Sequence, residues 1–429
     1  MTEAAKIRKA TFHLYTFTIS KLISTFGSSI YTFGISLYVL SLTGSAASFA
    51  ISLICSILPR SLIAPFAGYA ADSYPKKKLV ILSQAASVLA VAGLLVYSLA
   101  SGLSLTAIYI TTALVSAGSM FTSVTFTSSI SNLIDPDRIQ KAMGFNQSAM
   151  SIAAMGGPVI GGMLFGFVSM NMFLAIQMAA YALAVLLEST MNFKLFTNSE
   201  ENEGPERQSI VNSMKEGAVY LKANRVIMVI VTTAVGINFF FSAMMIGLPF
   251  IAVQQLEISS AHFGIIEGTI AAGMLLASVY FALRKEVKFP LLFSKRAILI
   301  MSVMLGAVAM PLIMNLSYGM NVGYLAILMF SFGVSNIFVN TPIGVMMQKE
   351  VDEQYRGRVF GILDSMCMAM MPVGYLLFGL LYDMIPAQFV VWGSSLCLIL
   401  LTLYMMRPTV MKEAYPELDS PVPGLPKLQ

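Results

Sequence analysis

The sequence predicts an all-α integral membrane protein: twelve transmembrane helices in two six-helix halves related by a pseudo-two-fold. Three observations carry that prediction. Of 429 residues, 57% are apolar and only 11% charged, with a mean hydropathy of +0.78. A soluble chain carries roughly 25% charged residues, so this one lacks the charge to cover two or three globular domains. Second, the apolar residues gather into twelve runs, each near or above the ~20 residues with which a helix crosses bilayer hydrocarbon. Third, Lys and Arg are absent from the turns after runs 1, 3, 5, 7, 9 and 11 and gather in the alternate turns and at the two ends.

The runs are 14–40, 46–70, 79–100, 104–130, 144–168, 171–191, 226–252, 262–283, 293–315, 320–347, 359–383 and 386–406. Several exceed the minimum, so tilts or kinks are expected, with Pro59, Pro65, Pro158, Pro249, Pro311, Pro342 and Pro372 as kink points. Met1 to Ala10 is polar and basic, and the first run is too long for a signal-peptide core, so no cleavable signal is expected. The cation asymmetry puts both termini in the cytoplasm under the positive-inside rule. The net charge of +5 is therefore a topology signal, and nucleic acid is not an expected partner. Cys55, Cys367 and Cys397 all lie in apolar runs, and two histidines cannot build a His-based centre. No metal and no cofactor is expected.

Organisation follows from the polar stretches. Residues 1–191 form the N-terminal half and 226–407 the C-terminal half. Between them, 192–225 reads as a cytoplasmic linker with the acidic cluster Glu200, Glu201, Glu203 and Glu206. Its latter part, Ser209 to Ala223, reads as a surface helix along the membrane, and the Pro-rich 408–429 as a disordered cytoplasmic tail. The halves echo each other: Asp135 to Gly144 after run 4 and Asp352 to Gly361 after run 10 are both charged turns, each with a basic residue three positions before a glycine. Arg356 and Arg358 belong to the second of these turns.

Two motifs stand out. After run 2 comes Gly68-Tyr69-Ala70-Ala71-Asp72-Ser73-Tyr74-Pro75-Lys76-Lys77-Lys78. A glycine permits close helix approach, an acid ends one helix, and lysines anchor the next at the headgroups; an ordinary cytoplasmic turn has the same parts. Run 5 contains Ala153-Ala154-Met155-Gly156-Gly157-Pro158-Val159-Ile160-Gly161-Gly162. Glycine costs a helix about 1 kcal/mol relative to alanine, so this density points to a face where another helix packs very closely.

The first motif resembles the loop signature of the major facilitator superfamily, with Ser73 in place of its first cation and Pro75 in place of its second glycine. The second resembles the run-5 signature of that superfamily's drug/proton antiporter-like exporter branch. The linker and the charged turns are most similar to macrolide-efflux-like or siderophore-exporter-like members. The resemblance spans essentially the whole chain. It implies the major facilitator fold and alternating access, with Gly68, Asp72, Lys77, Lys78, Arg356 and Arg358 in conformational gating. It also implies an antiporter-type packing face at Gly157, Pro158, Gly161 and Gly162.

Charges inside the runs are costly unless paired or hydrated. Lys21 stands about two turns into run 1, Arg60 near the middle of run 2, Glu267 in run 8 and Asp364 in run 11. Glu267 and Asp364 are the acids placed to accept and release a proton, with permanently paired structural carboxylates as the alternative. Lys21 and Arg60 are the intramembrane cations that could partner them, Lys21 with snorkelling to the inner interface as its alternative. Glu188, near the inner end of run 6, reads as reaching the headgroups. Drug antiporters of this superfamily commonly carry an acid in run 1 or run 4; neither has one here, so no proton carrier transfers by resemblance. In the implied architecture runs 1, 4, 7 and 10 line the cavity, which offers Tyr31, Phe121, Asn238, Phe239, Asn336 and Asn340. Aromatic rings with scattered amides suit a bulky amphipathic molecule.

The expected function is export of hydrophobic or amphipathic compounds by a secondary transporter, with protons or another cation as coupling partner. The expected protein is a monomer in the lipid bilayer of the plasma membrane, and not an enzyme. The alternatives are an importer or metabolite carrier of the same fold, and a non-transport membrane receptor or membrane-embedded enzyme. An ATP-driven pump needs a phosphate-binding loop, and the chain contains no Gly-Lys pair.

Overall fold

The protein is described from a computed structural model covering residues 3–193, 195–196, 210–314 and 316–415, without the side chains of 3–5, 72, 210–214 and 354. Among the described residues there are fifteen α-helices and no strand. Twelve of the helices are long and apolar enough to cross a membrane. In bilayer hydrocarbon every backbone polar group must find an internal partner, which only helices or closed barrels achieve.

The first six crossings are α1 (Glu3–Thr43), α2 (Ala46–Ser73), α3 (Lys76–Ser101), α4 (Leu105–Leu133), α5 (Ile139–Phe167) and α6 (Met170–Ser189). Serine caps start several of them: the Ser45 and Ser104 hydroxyls accept from the backbone N–H of Ser48 and Ala107. After α7 (Ile210–Ala223) come α8 (Arg225–Pro249), α9 (Ser260–Leu283), α10 (Pro290–Ala307), α11 (Pro311–Met314), α12 (Tyr318–Glu350), α13 (Glu353–Met384), α14 (Ala387–Met405) and α15 (Pro408–Ala414). Pro59, Pro65, Pro158, Pro342 and Pro372 lie within helices. Pro311 instead starts the short α11 after a break in the ninth crossing. α8 ends at Pro249 and runs on as a π-helical stretch, Phe250–Gln255.

The chain divides into two compact units, Met1–Gly204 with Ser259–Gly268, and Pro205–Ile258 with Thr269–Gln429. The first stretch of α9 thus packs with the first unit, a departure from a division at the linker. Within the first unit α1 pairs with α5 and α6, α2 with α4, and α3 with α4 and α6. The second unit repeats the scheme: α8 pairs with α13 and α14, and α10 with α12 and α14. α9 meets α12 where Thr269 donates its hydroxyl to the Ala326 carbonyl at 2.8 Å.

Helix ends are tied by cations, as expected where the last carbonyls of a helix lack partners. Lys295 Nζ donates to the Met406 carbonyl just beyond α14 at 2.7 Å; Lys76 Nζ, at the start of α3, donates to the Ser128 carbonyl in the last turns of α4, also at 2.7 Å. The tail departs from its expected disorder over Pro408–Ala414, which is helical with Val410 and Met411 buried. Those two apolar side chains join a cluster with Leu291, Ile298 and Met347, and the Tyr415 hydroxyl accepts from the Leu291 backbone N–H at 2.8 Å. Residues 416–429 lie outside the described residues.

Close packing at glycine sets α9 against α12. A Cβ on Gly273 would collide with the Phe330 carbonyl oxygen, and one on Gly333 with that of Ile270. Gly93 is exposed on α3, and a Cβ there would meet nothing within 4 Å. Gly333→Leu is therefore expected to lose ~1–3 kcal/mol or more to overpacking. Gly93→Ala should gain up to about 1 kcal/mol of helix propensity. Thermal midpoints of the two variants in one detergent would show the opposite signs.

Candidate functional site

Three charged groups, on α1, α2 and α6 of the first unit, form one cluster. Lys21 of α1 is only 3% exposed and donates from Nζ to the Ser123 hydroxyl of α4 at 3.1 Å. Its charge lies within electrostatic reach of Arg60 on α2 and of Glu188 on α6. Arg60 is exposed on its helix, whereas Glu188 is 0% exposed. Glu188 Oε1 accepts from the Ser20 hydroxyl at 2.8 Å, while Oε2 has no hydrogen-bond partner among the described residues. Adjacent residues of α1 thus serve both sides: Ser20 faces the acid and Lys21 the hydroxyl of α4.

Glu188 corrects the expectation that it reaches the headgroups. It is the penultimate residue of α6, but the chain beyond it turns back under the bundle. Met191 and Phe193 are buried in a cluster with Leu14, Phe17 and Phe126. The one sequence signal available was that Glu188 is the lone charged residue of α6.

The other intramembrane acids stand differently. Glu267 on α9 is half-buried, and Asp364 on α13 is exposed. Neither has a hydrogen-bond or ion-pair partner among the described residues.

The glycine-rich face of α5 is in backbone contact on two sides. A Cβ on Gly157 would collide with Ser29 of α1, and one on Gly161 would stand 3.0 Å from the Ile30 carbonyl oxygen. Gly162 looks the other way: its Cβ would lie 2.9 Å from both the Ser260 carbonyl oxygen and the Gly264 Cα of α9. Pro158 shares this second side, because its carbonyl oxygen and that of Val159 lie against Gly264. One proline-bearing stretch therefore holds α1 on one side and the start of α9 on the other.

The gating candidates divide. Gly68 has open space where a Cβ would stand, which corrects the expectation of close helix approach there. Asp72 ends α2, and its side chain lies outside the described residues. Lys77 Nζ donates to the Ser189 carbonyl at the end of α6, at 2.6 Å, and Lys78 is exposed. Arg356 Nε donates to the Val351 carbonyl that caps α12, at 3.0 Å. Arg358 pairs with Glu216 of α7 at 2.6 Å and lies over the Tyr355 ring, which itself stacks on Tyr220 of α7. The latter part of the linker is thus pinned to α13. With side chains 27% and 54% exposed, the ion pair contributes under about 1 kcal/mol.

The cavity candidates also divide. Tyr31 is 0% exposed and its hydroxyl meets Thr112 at 3.3 Å, so it is a core residue of the first unit and not a lining one. Phe121, Asn238 and Asn336 are half-buried. Asn238 Nδ2 donates to the Ala234 carbonyl at 2.9 Å, and Asn340 Nδ2 donates to the carbonyl and side-chain oxygens of Asn336, both at 3.0 Å. Phe239 lines an apolar cavity of about 290 Å³ between α8, α13 and α14, with Phe240, Phe378 and Phe389.

At the turn between α4 and α5, Arg138 donates from Nε to Asp135 Oδ1 at 2.7 Å, with Nη2 on the same oxygen at 2.5 Å. Its Nη1 reaches Thr11 of α1 at 2.7 Å. The Arg138 hydrogen bond holds the Asp135 carboxyl below the ordinary carboxylate range. Its contribution to stability is complete above that range and is lost as pH falls through the lowered value. Asp135→Asn should accordingly cost stability near neutrality and progressively less in acid, read as the gap in thermal midpoint from the parent chain.

Twelve membrane-crossing helices in two similarly paired units define a polytopic carrier. A model of the Major Facilitator Superfamily matches residues 17–375, and the chain belongs to that family. It is 22% identical over 373 residues to Macrolide efflux protein A of Streptococcus pyogenes, covering 86% of this chain and 89% of that protein. It is 24% identical over 362 residues to the uncharacterized MFS-type transporter YfiS of Bacillus subtilis (strain 168), covering 82% of each. Among solved structures, the nucleoside transporter NupG superposes with a TM-score of 0.67 at 17% identity, over 94% of this chain and 99% of that one. A bacterial homologue of the iron transporter ferroportin gives 0.64 at 15% identity, over 92% and 98%. The protein is a multi-pass membrane transporter and not an enzyme.

Proposed function

We propose that the protein exports hydrophobic or amphipathic compounds of the macrolide kind by alternating access, in exchange for protons. The observation that carries the reading is the backbone-level contact of Gly157, Gly161 and Gly162 with α1 and α9. These are the residues of the exporter-branch signature, used as close-packing positions. The likeness to Macrolide efflux protein A supports the same substrate class.

Proton exchange requires a group that changes charge within the bilayer; the acids Glu267 and Asp364 stand inside crossing helices, as do the cations Lys21 and Arg60 that could partner them. Asp72 is assigned to stabilising the state in which the inner ends of the helices are closed, with Arg356 and Arg358 as cations of the corresponding turn. The cation distribution supports cytoplasmic termini under the positive-inside rule, and the reading takes the protein as a monomer in the plasma membrane.

The test is the purified chain in liposomes, loaded with radiolabelled erythromycin or ethidium under an imposed pH gradient. Efflux that follows the gradient is the expected outcome. Gly162→Leu should abolish it, because a leucine cannot fit against the Ser260 carbonyl, and Asp72→Asn should reduce it at least tenfold with insertion intact. Transport that ignores the gradient would refute proton exchange, and normal transport by Gly162→Leu would refute the exporter reading.

A further inference from the structure

We propose that Glu188 is the residue that binds the coupling proton, with Lys21 as its charge partner and Ser20 as the positioning hydroxyl. The inference rests on the proton-exchange reading above and assigns a site to it.

The argument begins with an incomplete coordination. A carboxylate has two oxygens that each accept hydrogen bonds, and burying one without donors costs several kcal/mol. Glu188 Oε1 is served by Ser20, and Oε2 by nothing among the described residues, although the side chain is fully buried. The arrangement accommodates both charge states of the same group. As an anion, Glu188 depends on the Lys21 charge nearby; with a proton on Oε2, it is neutral and that dependence ends. A permanently ionised structural acid would be expected to have donors on both oxygens, as would a permanently paired one.

The surroundings contain no competing acid. On α1 the titratable neighbours are Lys21 and His13, whose Nε2 accepts from the Asn192 backbone N–H at 3.4 Å. α2 brings Arg60, and α3 brings Lys77, held on the Ser189 carbonyl one residue beyond Glu188. α4 contributes Ser123 and carries no Asp, Glu, Lys, Arg or His, α5 carries only Lys141 at its start, and α6 has Glu188 alone. Glu188 is thus the single carboxylate among these groups.

Its protonation has a readable consequence on the face of the first unit. With Glu188 ionised, the set Glu188, Lys21 and Arg60 carries one net positive charge; with Glu188 protonated, it carries two. Lys21 links the two ends, since it is buried beside the acid and within reach of the exposed Arg60. A proton taken up inside the bundle therefore changes the field at an exposed position without any substrate contact at the acid itself. A proton-exchange cycle needs such a link between loading a proton and the electrostatics of the exposed face.

Asp364 and Glu267 differ in the feature that matters. Asp364 is exposed and Glu267 half-buried, and neither has a lysine and a hydroxyl flanking it in the way Glu188 does.

The experiment has two arms on the full chain. In liposomes, Glu188→Gln should lose at least tenfold of pH-gradient-driven erythromycin efflux while keeping downhill exchange within about twofold of the parent. Ser20→Ala and Lys21→Met should each shift the pH midpoint of efflux, which a merely structural role would not do, and Glu188→Asp should restore pH dependence. In detergent, dicyclohexylcarbodiimide, which adds to protonated carboxyls in apolar surroundings, should label Glu188 in the parent chain. That labelling should fall as pH rises, as read by peptide mass spectrometry, and needs no variant to fold. Full gradient-driven efflux by Glu188→Gln, or labelling at Glu267 or Asp364 with none at Glu188, overturns the assignment. If the parent chain itself transports without regard to pH, the proton-exchange reading fails first, and the labelling arm still reports whether Glu188 takes up a proton.

Discussion

Backbone-to-backbone contact at positions without a Cβ is the constraint on which the packing of this protein depends. Apolar side chains gain nothing by leaving lipid for one another, so helices in a bilayer associate through close approach and small polar groups. The glycines of α5 bring it against α1 and α9, and Gly374 of α13 lies against Ser242 and the Phe239 carbonyl of α8 in the same way. α5 with α1 and α13 with α8 are equivalent pairs in the two units, so the repeat extends to the manner of contact. Elsewhere hydroxyls do this work. Ser83 and Thr122 meet at 2.8 Å between α3 and α4, beside Gly118.

On that shared skeleton the two units carry different charges. The first buries Lys21 and Glu188 within its helices, and its loop arginine, Arg138, reaches back to α1. In the second, the cations Arg356 and Arg358 remain at the rim, one on the cap of α12 and the other on the linker helix α7. Charges in the first unit are therefore placed to respond to protonation, and those in the second to hold the polypeptide that follows the linker. A duplicated fold has been given two different electrostatic tasks.

Much of this was legible in the sequence, because hydrocarbon thickness and the need for internal hydrogen bonds leave few options. The number of crossings, the repeat and the helix in the linker follow from run length and polarity alone. What escaped was lateral position. Tyr31 was expected at a cavity, yet it faces Thr112 in the core, since a run apolar on all sides carries no periodicity to tell one face from another. Glu188 stands one residue from a helix end, a position that reads as within reach of the headgroups, yet it is buried, and Met191 and Phe193 just beyond it join the core. Gly68 shows the converse, a motif glycine with empty space around it. The Pro-rich tail likewise begins with a helix because Val410 and Met411 find apolar cover.

The π-helical stretch after α8 has a consequence for length variation. Pro249 lacks an N–H and its ring crowds the carbonyl of the preceding turn, so the regular ladder is interrupted there. The bond from the Leu256 N–H to the Ile251 carbonyl closes a ring one residue wider than an α-turn. Such a widened turn is the structural form of a single-residue insertion that the helix has absorbed. In an ordinary crossing helix, adding or losing one residue rotates everything beyond it by about 100° and turns buried side chains to lipid. Here the extra residue is already confined to one turn, so shortening Phe250–Gln255 by one restores an α-helix without re-aiming α8. This turn is therefore a place where the crossing can shed one residue with little cost to the packing of α8.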